Sequence, residues 1–172
     1  MKETLKIVKM FEDVKLPTKS NPTDSGFDLY AHSIKMYFQN HGTNFEREFK
    51  GEALEQFIRD GEFELESQGR ILIGTGIKAT IGPGYELQIR PRSGLALKQG
   101  LTILNTPGTI DATYIKDEIG IILINLSRKN QIIKLGDRIA QMVPIKIELP
   151  EIEITNSLEG EDRGGGFGHS GK

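Results

Sequence analysis

The sequence predicts an all-β barrel or sandwich, and three observations carry that prediction. Short segments alternate apolar and polar residues, as in LKIV, SGFDLYA, EFELESQG, RILIGTGIKATI and LQIRPR, the period that turns one face of a strand toward a core. Gly, Pro, Asn and Asp gather between those segments, in SNPTDSG, GPG, NTPG and LGD, where tight turns need them. Helical spacing is confined to EALEQFIRD and the short run ALKQG, too little for an α-rich layer.

Leu5, Ile7 and Val8 open a first strand, and Val14, Leu16 and Pro17 precede the turn-rich run that leads into SGFDLYA. In that segment Phe27, Leu29 and Ala31 share one face, and Asp28 and Tyr30 the other; taken alone, Asp28 reads as a solvent-facing strand residue. Residues 32 to 68 change character. His41, Gly42, Thr43 and Asn44 read as loop, while Leu54, Phe57 and Ile58 fall on one face of a short amphipathic helix over residues 52 to 59. Its apolar stripe must cover its own subunit or a neighbour, as a packed insertion rather than a lid. Beyond it, Ile71, Ile73, Ile77, Ala79, Ile81, Leu87 and Ile89 supply sheet positions, and Gly82, Pro83 and Gly84 predict a hairpin connection.

At residues 90 to 101, RPRSGLALKQGL sets Arg92, Ser93 and Gly94 at a strand-to-helix junction. A guanidinium, a hydroxyl and the amides of a helix start suit phosphate oxygens. Capping by Ser93 with Arg92 solvated is an equal alternative for the tripeptide alone. Residues 105 to 125 carry one acid, Asp111, just past the reversal at Pro107 and Gly108, with Tyr114 three residues on. Acid and ring are expected to share a small hairpin, which would hold a carboxylate over a pocket with an aromatic floor. A lone turn Asp reads first as a partner for backbone donors. EIGIILINLS is then a near-continuous apolar strand, buried on both faces or at a subunit contact.

Two further strands join through Leu135, Gly136 and Asp137, with Arg138 and Gln141 just beyond; a salt-bridged turn and a strand-edge amide are a sufficient account of them. The tail, RGGGFGHSGK, lacks the GK[ST] spacing of a P-loop. Its glycines allow close backbone approach to phosphates, and the lone ring of Phe167 argues against a merely disordered end.

Composition narrows the function classes. At 172 residues the chain is expected to form a single domain over residues 1 to 160, with a glycine-rich arm over 161 to 172. A formal charge of -2 offers no general attraction to nucleic acid, so no stable nucleic acid binding is expected. No apolar run is long enough to span a bilayer, and the first residues lack a signal-peptide pattern. A soluble cytoplasmic or other intracellular protein, away from membranes, is the expectation. With no Cys and three scattered His, there is no thiolate or repeated His metal signature.

Five segments, in order and spacing, resemble the motifs of the homotrimeric dUTPases: SGFDLYA, PRSGLALKQGL, NTPGTIDATY, LGDRIAQMVP and RGGGFGHSG. The resemblance implies a jelly-roll-like β-barrel subunit with one or two short helices, one of them in an insertion. It implies a homotrimer with active sites between subunits and hydrolysis of dUTP to dUMP and pyrophosphate. Asp111 matches the acid that activates water for attack on the α-phosphorus. Arg92, Ser93, Gly94 and Gln141 match phosphate contacts, Asn105 the uracil contact, and Tyr114 the ring that leaves no room for a 2′-hydroxyl. Asp137 and Arg138 match an interface pair supporting the site. Asp28 matches an acid placing water and metal, with Mg2+ held mainly by substrate phosphates and waters. In the arm, Phe167 matches a ring stacking on uracil, while Arg163, Gly168, His169 and Ser170 match its phosphate-binding segment.

The chain departs from the family pattern at three places. YIKDE stands where YRGE is usual, Arg163 lies four rather than five residues before Phe167, and residues 38 to 61 look like an insertion. That insertion offers a surface for modulating the trimer or binding a partner protein. Two rival functions differ in product: the related dCTP deaminases need a glutamate that IILIN does not supply, and an idle nucleotide sensor would release nothing.

Overall fold

The structure, a computed structural model, describes residues 3 to 40 and 46 to 161. In chain order its strands are β1 (Lys6–Lys9), β2 (Phe27–Tyr30), β3 (Ser33–Asn40), β4 (Glu46–Lys50), β5 (Ile58–Arg59), β6 (Glu62–Leu65) and β7 (Arg70–Gly74). They continue as β8 (Ile77–Thr80), β9 (Tyr85–Arg90), β10 (Leu101–Ile103), β11 (Gly108–Ile110), β12 (Gly120–Asn125), β13 (Gln131–Lys134) and β14 (Arg138–Lys146). Two short helices, α1 (Glu52–Glu55) and α2 (Ser93–Gln99), interrupt them. None of the described helices is long and apolar enough to cross a membrane.

The strands form a five-stranded sheet, β10-β12-β7-β3-β4, and a four-stranded sheet, β11-β9-β14-β2, with a three-stranded sheet β13-β6-β5 and the pair β1-β8 beside them. The expected all-β, jelly-roll-like architecture is the one observed. Its core gathers Tyr37, Ile71, Ile73, Ile121 and Leu123 from the first sheet and Leu29, Leu87, Ile89 and Met142 from the second. In β12, Ile121, Leu123 and Asn125 are buried while Ile122 and Ile124 are half-buried on the opposite face. The buried Asn125 amide does not go unpaired: Nδ2 lies 2.8 to 3.1 Å from the carbonyls of Leu65, Glu66 and Lys129, as burial of a polar group requires.

The structure adds to or differs from the sequence reading at four places. The helix predicted over 52 to 59 stops after Glu55, and β5 pairs Ile58 with Phe63 instead. Asp60 and Gly61, both at positive φ, close that tight hairpin, the turn that an Asp-Gly pair favours. Phe57 packs 5.4 Å from Tyr37 and 6.4 Å from Phe63, so the apolar stripe covers this subunit's own body. Second, β3 and β4, strands that the sequence reading does not name, pair antiparallel, and β3 also pairs with β7; the loop expected at His41, Gly42, Thr43 and Asn44 lies outside the described residues.

Third, Gly82, Pro83 and Gly84 do not close a hairpin, because β8 pairs with β1 whereas β9 pairs with β11 and β14. Fourth, β10 and β11 flank NTPG in different sheets; β13 and β14 join through Leu135, Gly136 and Asp137 as expected, and they too lie in different sheets. Turn chemistry specifies that the chain reverses; in a two-layer fold the reversal can carry it to the other sheet.

Candidate active site

Strand register assembles one half of the site. β14 lies between β2 and β9, with Gln141 opposite both Asp28 and Arg90. Asp28 is therefore not a free surface acid. Its Oδ1 lies 2.9 Å from Arg92 Nε and its Oδ2 3.1 Å from Arg138 Nη1, and its side chain is 15% exposed. Arg92 also donates to the Arg138 carbonyl at 3.1 Å. Within this trio one carboxylate is shared by two guanidinium groups, which leaves Arg92 with donors to offer an anion.

A cavity of about 380 Å³ opens there, lined in part by Asp28, Arg92, Ser93, Gly94 and Gln141. Arg92 occupies the N-cap of α2 without a side-chain cap bond, and Ser93 is the first helical residue; Ser93 is not the cap. Gln141 Nε2 donates to the Pro91 carbonyl at 2.9 Å, which fixes the amide's orientation. A Cβ on Gly26 would fall 2.7 Å from Gln141 Oε1, so any larger residue there would displace the Gln141 amide.

Sequence reasoning missed Ser20, Asp24, Ser25 and Gly26, which complete the cavity wall. Their signal was the turn-rich run, where Asp24 accepts the Asn21 amide at 2.8 Å and Lys19 donates to the Asp24 carbonyl.

The other half lies along residues 105 to 118, and none of Asn105, Asp111 and Tyr114 lines that cavity. Asn105 is exposed in the corner between sheets, beside the cis Thr106–Pro107 peptide. Gly108 is buried opposite Ile89, and a Cβ there would meet the Asn105 amide at 3.4 Å. Asp111 is exposed just after β11, and its carbonyl accepts the Tyr114 amide at 3.0 Å, so acid and ring share a turn although not a hairpin. Tyr114 is 38% exposed and donates through its hydroxyl to the Glu118 carbonyl at 3.2 Å.

The departure YIKDE is resolved by Glu118, whose carboxylate accepts the Gly76 amide at 2.6 Å and pairs with Lys35 at 2.9 Å. The additional residue is absorbed in the exposed run 115 to 117, and ladder-like bonding resumes where Ile119 donates to the Ile77 carbonyl.

Asp137 accepts the Lys134 amide at 3.0 Å in its own turn, while Arg138 spends its ion pair on Asp28. Both border another cavity, of about 210 Å³, that also touches Arg92. Arg163, Phe167, Gly168, His169 and Ser170 lie outside the described residues. Among the described residues no three His, Cys, Asp or Glu side chains gather as a metal cage. Both Asp28 oxygens already accept from arginines, so this donor set fits an ion arriving on a phosphate chain better than one bound by protein alone.

A family model for dUTPase matches residues 59 to 171. Over 169 residues, 98% of this chain and 97% of the relative, the sequence is 38% identical to a deoxyuridine 5′-triphosphate nucleotidohydrolase of Syntrophotalea carbinolica. The chain belongs to the dUTPase family. A dUTPase relative from Clostridium tetani, bearing the same name, is 43% identical over 170 residues, 98% of this chain and 97% of its own.

Among solved structures, the dUTPase of Staphylococcus bacteriophage 80alpha with dUpNHpp superposes with a TM-score of 0.69 over 98% of each chain, at 23% identity. A mutant dUTPase from phage phi11 of S. aureus, described for its coordination of a structural Mg(II) ion, gives 0.68 at 22% identity, covering 91% of this chain and 99% of that one. These two likenesses concern the fold. Family membership rests on the sequence matches, and it bears out the resemblance carried by the five motifs.

Proposed function

We propose that the protein hydrolyses dUTP to dUMP and pyrophosphate, by water attack on the α-phosphorus, at sites built between the subunits of a homotrimer. The observation that carries this reading is the Arg92–Asp28–Arg138 cradle, with Ser93, Gly94 and Gln141 around one cavity. Arg92 and the first amides of α2 neutralise and orient the phosphate chain, and Ser93 stands near the bridging oxygen that becomes the leaving group. Asp111 takes the proton from the attacking water. Asn105 reads the uracil edge, and the Tyr114 ring closes the space a 2′-hydroxyl would need.

The separation of Asn105, Asp111 and Tyr114 from the cradle cavity supports a shared site, in which one subunit offers the phosphate cradle and a neighbour the acid. Asp137 and Arg138 support that interface. Asp28 is the residue that would help hold a Mg2+ ion, through water, and the ion would supply charge neutralisation on the phosphate chain. The arm, residues 161 to 172, closes over the site through Phe167 on the base and Arg163, Gly168, His169 and Ser170 on the phosphates, and so excludes solvent.

Asp111→Asn tests the chemistry. It should retain dUTP binding and lose about 10² to 10⁴ in kcat; undiminished turnover would remove Asp111 from the mechanism. Incubation with dUTP and with dCTP separates the rivals: pyrophosphate from dUTP alone supports hydrolysis, ammonia from dCTP a deaminase, and neither product an idle sensor. A solution mass of one 19.2 kDa chain at full activity would contradict the shared site.

A further inference from the structure

We propose that Glu118 is a positioning residue for sugar discrimination, acting through Tyr114; the inference rests on the reading of Tyr114 given above. The Tyr114 ring stands partly exposed on a turn whose residues 115 to 117 are all exposed. Bonds to the 76 to 80 segment tie that turn down. Thr80 Oγ1 donates to the Ala112 carbonyl at 3.1 Å, Lys78 Nζ to the Lys116 carbonyl, and the Gly76 amide to the Glu118 carboxylate at 2.6 Å. Alternate residues 76, 78 and 80 thus hold 118, 116 and 112 in turn.

Glu118 is the rung that reaches the ring. Its backbone carbonyl accepts the Tyr114 hydroxyl at 3.2 Å, while its carboxylate fixes that backbone to Gly76 and Lys35. The carboxylate is well enclosed, with a side chain 12% exposed. Space for it is made by Gly74, where a Cβ would fall 2.4 Å from Glu118 Oε1 and 2.5 Å from Lys35 Cε. The longer link between Tyr114 and Glu118 in this chain makes such a tie the natural means of setting the ring's height. Exclusion of a single hydroxyl depends on displacements well below an ångström, and loss of the tie lets the ring yield.

The test compares kcat/KM for dUTP and UTP in the full-length enzyme. Glu118→Ala should lower the dUTP-over-UTP ratio about tenfold, with kcat for dUTP less affected than the ratio. Glu118→Gln, which keeps an acceptor for the Gly76 amide, should restore most of it. Added to Tyr114→Ala, Glu118→Ala should lower the ratio no further, since both act through one ring.

A folded Glu118→Ala enzyme with wild-type selectivity, while Tyr114→Ala loses it, overturns the positioning role and leaves the reading of Tyr114 intact. Unchanged selectivity in Tyr114→Ala itself removes that reading and the inference together. Should Glu118→Ala fail to fold, Tyr114→Phe breaks the same tie from the other end. A ratio about threefold lower there supports the proposal, and an unchanged ratio overturns it.

Discussion

Asp28 and Asp111 are two acids of the proposed site, and their surroundings are opposite. Asp28 is held between Arg92 and Arg138 and is largely enclosed, whereas Asp111 stands exposed, engaged through its backbone carbonyl with the Tyr114 amide. The first acid spends its charge inside the chain, on two cations. The second leaves its carboxylate exposed, where the proposed mechanism needs it, on a turn closed by a main-chain bond. Side chains that build a cradle couple binding to stability, while a group carried on a strapped turn can be altered with little structural cost.

That contrast is open to direct attack. Asp111→Asn, with the largest expected effect on turnover, should leave the urea unfolding midpoint unchanged, as exposed substitutions shift stability by no more than about 0.5 kcal/mol; a large loss of stability would erase the distinction. Asp28→Ala should do both things, raising KM for dUTP about tenfold and lowering stability by about 1 kcal/mol, a figure discounted for the exposure of both arginines. Steady-state kinetics and urea titration on one preparation check the pair.

Gly26→Ala acts on the cradle alone. Its methyl would press on Gln141 Oε1 and should raise KM about threefold with kcat nearly preserved; an unchanged KM would separate Gln141 from phosphate binding. The smallest effect appears only in alkali. Burial, aided by the Glu66 charge, pushes the Tyr37 phenol above its ordinary 10.0. The folded state then keeps a proton that the unfolded state releases, so stability present below pH 10 is lost as pH rises beyond it. Tyr37→Phe should flatten that decline in pH-dependent urea titrations, while Asp28→Ala and Asp111→Asn should leave its slope unaltered.

Much of this was legible because alternation reports burial: Leu29, Ile71, Ile73, Leu87 and Ile89 were expected in a sheet and lie in the core. The candidate site residues were legible as motifs, but Asp28 by itself looked solvent-facing, since neither of its arginines lies near it in sequence. Pairing partners were the least legible. GPG and NTPG looked like hairpins and are corners between sheets, whereas the hairpins between consecutive strands, β3 with β4 and β5 with β6, lie in the segment that read as loop and helix. In EALEQFIRDG the helical spacing of Leu54, Phe57 and Ile58 outweighed the Asp60–Gly61 turn signal on paper; in the molecule, the turn and the packing of Phe57 against Tyr37 and Phe63 prevailed.

The sheet-changing corners also set a timetable. Beyond a local bridge to Thr18, β2 pairs with β14, and Asp28 meets Arg138 across 110 positions of sequence. A ribosome adding about 5 to 20 residues per second must release most of the chain before that meeting can occur. The β3–β4 and β5–β6 hairpins are available much earlier, because their closing loops are short. Capacity to grip an anion is thus acquired late in the life of the nascent chain, after its neighbouring hairpins have had time to form.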